Sequence, residues 1–243
     1  MSLKIVGVVA DSLVDWPGRT VITVFLSGCN FRCGWCFNPD VVEGNLPEIS
    51  EKTLSKLRHI IVNNPNWYDG IVITGGEPTI NVSLPSLCKK LKDLFGLPIK
   101  LDTNGTNSYM LKLLVDQELV DYVAMDIKAP PHKYDEAVGL SLNVYELTPI
   151  HESIKYLIKQ NKIPYEFRTT LVPGIHNIYD IEEICFWIHG AKQYYLQNFV
   201  PYKKCVHKSF ETRPSFTRES IESFINIAKK YISKVGVRNI ITQ

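Results

Sequence analysis

The chain holds 243 residues, 45% hydrophobic and 21% charged, with 27 Lys and Arg against 25 Asp and Glu for a net charge of +2. That apolar fraction excludes a disordered chain, and the near-neutral balance makes nucleic acid or an anionic membrane an unlikely partner. The longest apolar run near the N-terminus, Ile5 to Ala10, stops at Asp11; it is too short for a membrane span or a signal peptide, so a cytoplasmic protein is expected.

Short runs rich in β-branched residues alternate along the chain with helix-period segments, which predicts repeated βα units and a parallel sheet. In chain order the pattern gives strand Val21–Ser27, helix Glu51–Val62, strand Gly70–Thr74, helix Leu84–Leu94, strand Ile99–Thr103 and helix Tyr109–Gln117. Then come strand Asp121–Ile127, helix Pro149–Lys159, strand Tyr165–Val172, helix Ile181–His189, strand Tyr194–Phe199 and helix Arg218–Ser233. Ser50, Thr148, Asp180 (with Glu183 three later) and Thr217 read as N-caps. The last helix carries one apolar stripe of Ile221, Phe224, Ile225, Ala228, Tyr231 and Ile232.

Six βα units suit either a partial barrel or an open doubly wound sheet. In Tyr165–Val172 the polar residues Glu166, Arg168 and Thr170 alternate with apolar ones, and Ala124, Asp126 and Lys128 share one face of the preceding strand. A polar face suits a barrel lumen that holds a polar ligand, whereas a sheet covered by helices on both sides would be apolar on both. We therefore expect a single α/β domain over 1–243: a partial (βα)6 TIM-like barrel over 20–200, with short extensions at 1–19 and 201–243.

Three of the six cysteines crowd into Cys29-Asn30-Phe31-Arg32-Cys33-Gly34-Trp35-Cys36, directly after the first strand. An even count could mean three disulfides, but an unexported protein keeps its thiols reduced. Cys88 and Cys185 sit in amphipathic helices and read as small buried hydrophobes. Cys205 lies in a polar stretch, as an exposed thiol or a further ligand. Structural zinc wants four ligands and a ferredoxin-type cluster four cysteines; this loop offers three. A [4Fe–4S] cluster held by three cysteines leaves one iron open, and Gly28 and Gly34 would let the backbone wrap closely around it. A zinc-binding interaction module remains the reading from another functional class.

Cys29, Cys33 and Cys36, with Trp35 before the last, resemble the radical S-adenosylmethionine (SAM) signature. The flanks Ser12-Leu13-Val14-Asp15-Trp16-Pro17-Gly18-Arg19 and Phe25-Leu26-Ser27-Gly28 are similar to activating proteins of glycyl-radical enzymes, of the anaerobic ribonucleotide reductase and pyruvate formate-lyase kinds. Gly75-Gly76-Glu77-Pro78, Asp102-Thr103-Asn104-Gly105 and Asp126-Ile127-Lys128 extend the match to about residue 200. The resemblance implies metal ligands Cys29, Cys33 and Cys36, and a SAM amino-group site at Gly75, Gly76 and Glu77. It also implies that Asp102, Thr103 and Asn104 lie beside the methionine and ribose and that Lys128 lies near the carboxylate. A monovalent cation is implied between Asp102 and Asp126. Trp35 and Phe37 would wall the adenine, and Arg168 and Thr170 would face the ligand, unless Arg168 instead pairs with Glu166. Asn198 could reach the same ligand.

Without the family, each motif has a plainer account as a turn, a helix cap or a surface ion pair. Yet every one lies at the C-terminal end of a predicted strand, where barrel enzymes gather their active-site loops. The activity implied is reductive cleavage of SAM to a 5′-deoxyadenosyl radical, with a glycyl-radical enzyme as protein substrate and flavodoxin or ferredoxin as low-potential donor. A radical SAM enzyme acting on a small molecule or nucleobase is the alternative. The segment Pro201–Ser215, with Lys203, Lys204, Cys205, His207 and Lys208, departs from the activases and reads as a docking strap or a solvated loop.

Overall fold

The computed structural model describes residues 3–49, 51–64, 66–141 and 144–239. Eight strands form one sheet in chain order: β1 Ile5–Ser12, β2 Val21–Leu26, β3 Gly70–Gly75, β4 Ile99–Thr103, β5 Tyr122–Asp126, β6 Tyr165–Leu171, β7 Tyr194–Asn198 and β8 Val235–Arg238. All neighbours are parallel except β1, which runs antiparallel to β2. The six expected strands are β2 to β7. The two edges come from the segments read as extensions: β1 disperses its apolar residues over a half-exposed face, and β8 has only four residues, too few for a periodic signal.

Helices cover the outer face: α1 Pro39–Glu43, α2 Glu51–Asn63, α3 Leu84–Phe95, α4 Ser108–Asp116, α5 Tyr134–Val138, α6 Thr148–Lys159, α7 Ile178–Trp187 and α8 Arg218–Ala228. The core lies between them and the sheet, with Ile73, Leu101, Val123 and Phe167 fully buried beside Leu84, Leu111, Leu157 and Ile184. Cys88 and Cys185 belong to it, as expected, and all six cysteines are free thiols. Among the described residues no helix is long and apolar enough to cross a membrane.

The caps differ in detail. Thr217 accepts from the Ser220 amide as expected. α7, however, starts three residues early, because Asn177 takes the Tyr179 and Asp180 amides and Asp180 returns the bond to the Asn177 amide; Asp180 is the third residue of a capping box and not the cap. Thr148 is the first residue of α6, not its cap, and Ser50 lies outside the described residues. α8 ends at Ala228, where tighter bonds from Lys230 to Ile227 and from Tyr231 to Ala228 turn the chain toward β8.

The inner face of the sheet is polar. Phe25 of β2, Thr74 of β3, Asp102 of β4, Asp126 of β5, Arg168 and Thr170 of β6, Gln197 of β7 and Arg238 of β8 all line one cavity of about 610 Å³. Side chains from seven successive parallel strands converge on one space only if the sheet curls. Among the described residues β8 does not pair with β1, so the half-barrel is open on that side.

Candidate active site

The cavity sits where the strands of the half-barrel deliver their loops, and the cysteine loop forms one of its walls. Cys29, Cys33 and Cys36 all line it, Cys33 buried and the other two partly so. With no metal bound, burial pushes the Cys29 thiol to about 11 and Cys33 to about 12; a metal must displace those protons to bind thiolates. The Phe31 amide donates to Cys29 Sγ at 3.4 Å, a bond that favours the thiolate form. Among the described residues no three His, Cys, Asp or Glu side chains converge on a point where one ion would sit.

The glycine loop is pressed onto the cysteine loop. Gly76 donates to the Leu26 carbonyl at 3.0 Å and Glu77 to the Gly28 carbonyl at 2.8 Å. A Cβ on Gly76 would stand 1.9 Å from the Gly28 oxygen, and one on Gly75, whose φ is +125°, 2.2 Å from the Leu26 oxygen. Both glycines are demanded by close backbone approach. Gly28, at φ +86°, allows the turn into the cysteines; Gly34 serves another contact, since its vacant Cβ position is filled by the Phe210 ring at 2.5 Å.

Glu77 lines the cavity, with its carboxylate held by the protein's own donors. It is 1% exposed, and its Oε1 accepts from the Thr79 amide (3.0 Å), Thr79 Oγ1 (2.5 Å) and Thr103 Oγ1 (2.7 Å), while Oε2 accepts from the Asn104 amide (2.6 Å). Burial pushes this carboxyl up, and those donors oppose the shift. Glu77 ties the loops after β3 and β4 together, and Gly75 and Gly76 face the cavity beside it. Thr103 is thereby turned to Glu77, and Asn104 bonds Asn30 Oδ1 through Nδ2 at 2.9 Å.

The charged side chains form a row across the lumen. Lys100 Nζ lies 2.5 Å from Asp102 Oδ1; Arg168 reaches Asp102 Oδ2 at 3.3 Å and Asp126 Oδ1 at 2.8 Å; Lys128 Nζ lies 2.9 Å from Asp126 Oδ2. Arg168 thus bridges two aspartates instead of pairing with Glu166, which takes both arms of Arg238 at 2.8 Å. Burial works against the Asp126 carboxylate, but Arg168 and Lys128 outweigh it and hold the group well below the usual range. Lys128, held charged by Asp126 against its own burial, uses one bond there and keeps its other protons for the cavity. Thr170 lines the cavity beside it.

Trp35 is 7% exposed, edge-on to His176 and Phe210, so it is a core aromatic with an edge on the cavity. Phe37 is 54% exposed and stacks on Tyr202 at 5.0 Å, a flat apolar pair at the mouth. Asn198 lines the cavity and also exchanges two bonds with the backbone of Phe216. Cys205 is buried at 6% exposure, not exposed, with Sγ toward the Tyr202 carbonyl. Its segment crosses the cysteine loop: Val206 donates to the Cys36 carbonyl and His207 to the Gly34 carbonyl, both at 2.9 Å. Sequence reasoning gave no role to Val14, Asp15, Gln197, Tyr202 and Arg238, which also line the cavity. Asp15 sits in a quoted motif; Arg238 belongs to a strand with no periodic signal.

A half-barrel with three cysteines after its first parallel strand and a glycine loop after its second defines a class, and residues 23–188 match the radical SAM superfamily. The chain belongs to that superfamily, and it is an enzyme of the radical SAM type. A protein of Methanocaldococcus jannaschii named as a glycyl-radical enzyme activating enzyme is 32% identical over 242 residues, covering 99% of this chain and 98% of its own. The pyruvate formate-lyase-activating enzyme of Streptococcus mutans is 29% identical over 67% of this chain and 62% of its own. The crystal structure of Streptococcus suis SuiB bound to S-adenosylmethionine superposes with a TM-score of 0.62 at 13% identity, over 88% of this chain and 52% of that one, a likeness of fold.

Proposed function

We propose that the protein binds a [4Fe–4S] cluster through Cys29, Cys33 and Cys36, holds SAM against it, and installs a glycyl radical on a partner enzyme. The carrying observation is that the three thiols, the Gly75–Gly76 backbone and the free protons of Lys128 all face one cavity. When bound, the reduced cluster supplies the single electron that cleaves SAM to methionine and a 5′-deoxyadenosyl radical; that chemistry belongs to the cofactor.

The chain's own residues bind and orient. The carbonyls of the glycine loop accept from the SAM ammonium, Lys128 pairs with its carboxylate, and Phe37 and Tyr202 offer a flat face to adenine. Asp102, Asp126 and Arg168 hold Lys128 in place. The opening between β1 and β8 gives a partner's glycine segment a way to the reactive carbon, and a low-potential flavodoxin or ferredoxin supplies the electron. Two relatives named as activating enzymes support the protein substrate.

Anaerobically reconstituted protein with SAM and dithionite should release 5′-deoxyadenosine, and adding the cognate glycyl-radical enzyme should produce its radical in EPR. Protein that reconstitutes fully but leaves SAM intact would end this reading. Deoxyadenosine with no radical on any glycyl-radical enzyme would move the substrate to a small molecule.

A further inference from the structure

Lys100 is among the largest fully buried side chains of the protein. A lysine at 0% exposure is rare unless its charge is met. Its Nζ lies between two oxygens of different elements: Asp102 Oδ1 on its own strand at 2.5 Å and the backbone carbonyl of Asp15, in the turn between β1 and β2, at 2.7 Å. Asp15 is itself held from the other side, its Oδ2 accepting from Ser12 Oγ at 2.7 Å and Thr23 Oγ1 at 2.5 Å. Both residues that present an oxygen to Nζ are thus also held elsewhere, Asp15 through its side chain and Asp102 through Arg168.

The monovalent cation that the family resemblance implies between Asp102 and Asp126 does not fit this arrangement. All four carboxylate oxygens of the pair already face a cationic nitrogen, in the order Lys100, Arg168, Arg168, Lys128. An inorganic ion would need oxygens with unopposed negative charge and would meet three positive side chains instead.

We propose that fixed side chains stand in for a monovalent cation here, Arg168 between Asp102 and Asp126 and the buried Lys100 ammonium between Asp102 Oδ1 and the Asp15 carbonyl, so that the protein binds SAM without sodium or potassium. An ammonium is a compact point charge that takes oxygen neighbours on several sides, as a potassium ion does. Lys100 thus acts on SAM through Asp102 as a positioning residue. The proposal rests on the reading of the cavity as a SAM site.

The test is SAM binding by the cluster-reconstituted protein, measured by equilibrium dialysis at one ionic strength in potassium, sodium or choline chloride. The wild-type Kd should change by less than about twofold between the salts, since no ion contact is gained or lost. Lys100→Met frees Asp102 Oδ1 and the Asp15 carbonyl while keeping side-chain length. Its affinity should fall by about tenfold or more in choline and return to within about threefold of wild type in potassium or ammonium, which refill the vacated position. A wild-type affinity that drops about tenfold in choline would overturn the proposal, as would a folded Lys100→Met variant indifferent to the salt. If that variant fails to fold, the wild-type comparison decides alone. Failure of the SAM reading looks different: no binding in any salt.

Discussion

His176 shows how one side chain supports the cavity from behind. The Val172 amide can only donate, so Nδ1 accepts from it at 3.0 Å; Nε2 therefore carries the proton and donates to the Lys128 carbonyl at 2.8 Å. Burial disfavours a second proton on the ring, so the pKa lies below the ordinary 6.5. Below about pH 6.5 the unfolded chain takes a proton that the folded one refuses, so stability is complete above that pH and is lost as pH falls. Urea midpoints at pH 7.5 and 5.0 should show that loss in the wild type, and His176→Gln should reduce the slope. Nothing in the sequence singled out His176, whose bonds depend on two turns meeting. Glu77 taught the opposite lesson: the motif was visible, but the direction its carboxylate points became clear only with Thr79, Thr103 and Asn104 around it.

At the scale of elements, the six inner strands were legible because they are short runs rich in β-branched residues set between helix-period segments. Edge strands β1 and β8 were not, one being half-exposed and the other four residues long. The strap from 201 to 216 has no period at all; it is held by two backbone bonds to the cysteine loop and by Phe210, which is 8% exposed and wedged against Gly34, Trp35 and Phe199. Phe210→Ala should loosen this segment by about 3 kcal/mol, the usual loss for a buried phenylalanine. Tryptic cleavage near Lys203 and Lys208 should then accelerate on the order of a hundredfold, while the global unfolding midpoint moves far less. Equal shifts in both would show that the strap is part of the main cooperative unit.

At the scale of the whole molecule, the last strand is tied back to the middle of the sheet by charge. Arg238, from the last strand, grips Glu166 with two bonds at 2.8 Å and lies 4.2 Å over the Tyr195 ring, while Tyr122 donates to the same carboxylate at 2.9 Å. Arg238→Ala would leave Glu166, whose side chain is 3% exposed, buried with one neutral donor. Breaking such a pair costs about 3–5 kcal/mol. Urea unfolding should show that loss, and adding Glu166→Gln should recover most of it; a double variant as unstable as the single one would place the cost in lost stacking on Tyr195. The composition and motif order carried the fold class and the position of the site, because both follow from where strands end. The lumen row was legible only in part, since pairing Arg168 with Asp102 and Asp126 depends on the register of three neighbouring strands.

The strap also has a history. It is made long after the cysteines it crosses, with most of the half-barrel emerging from the ribosome in between. A growing chain therefore carries the loop of Cys29, Cys33 and Cys36 without its bonds to Val206 and His207 and its packing on Phe210 until this segment has been added.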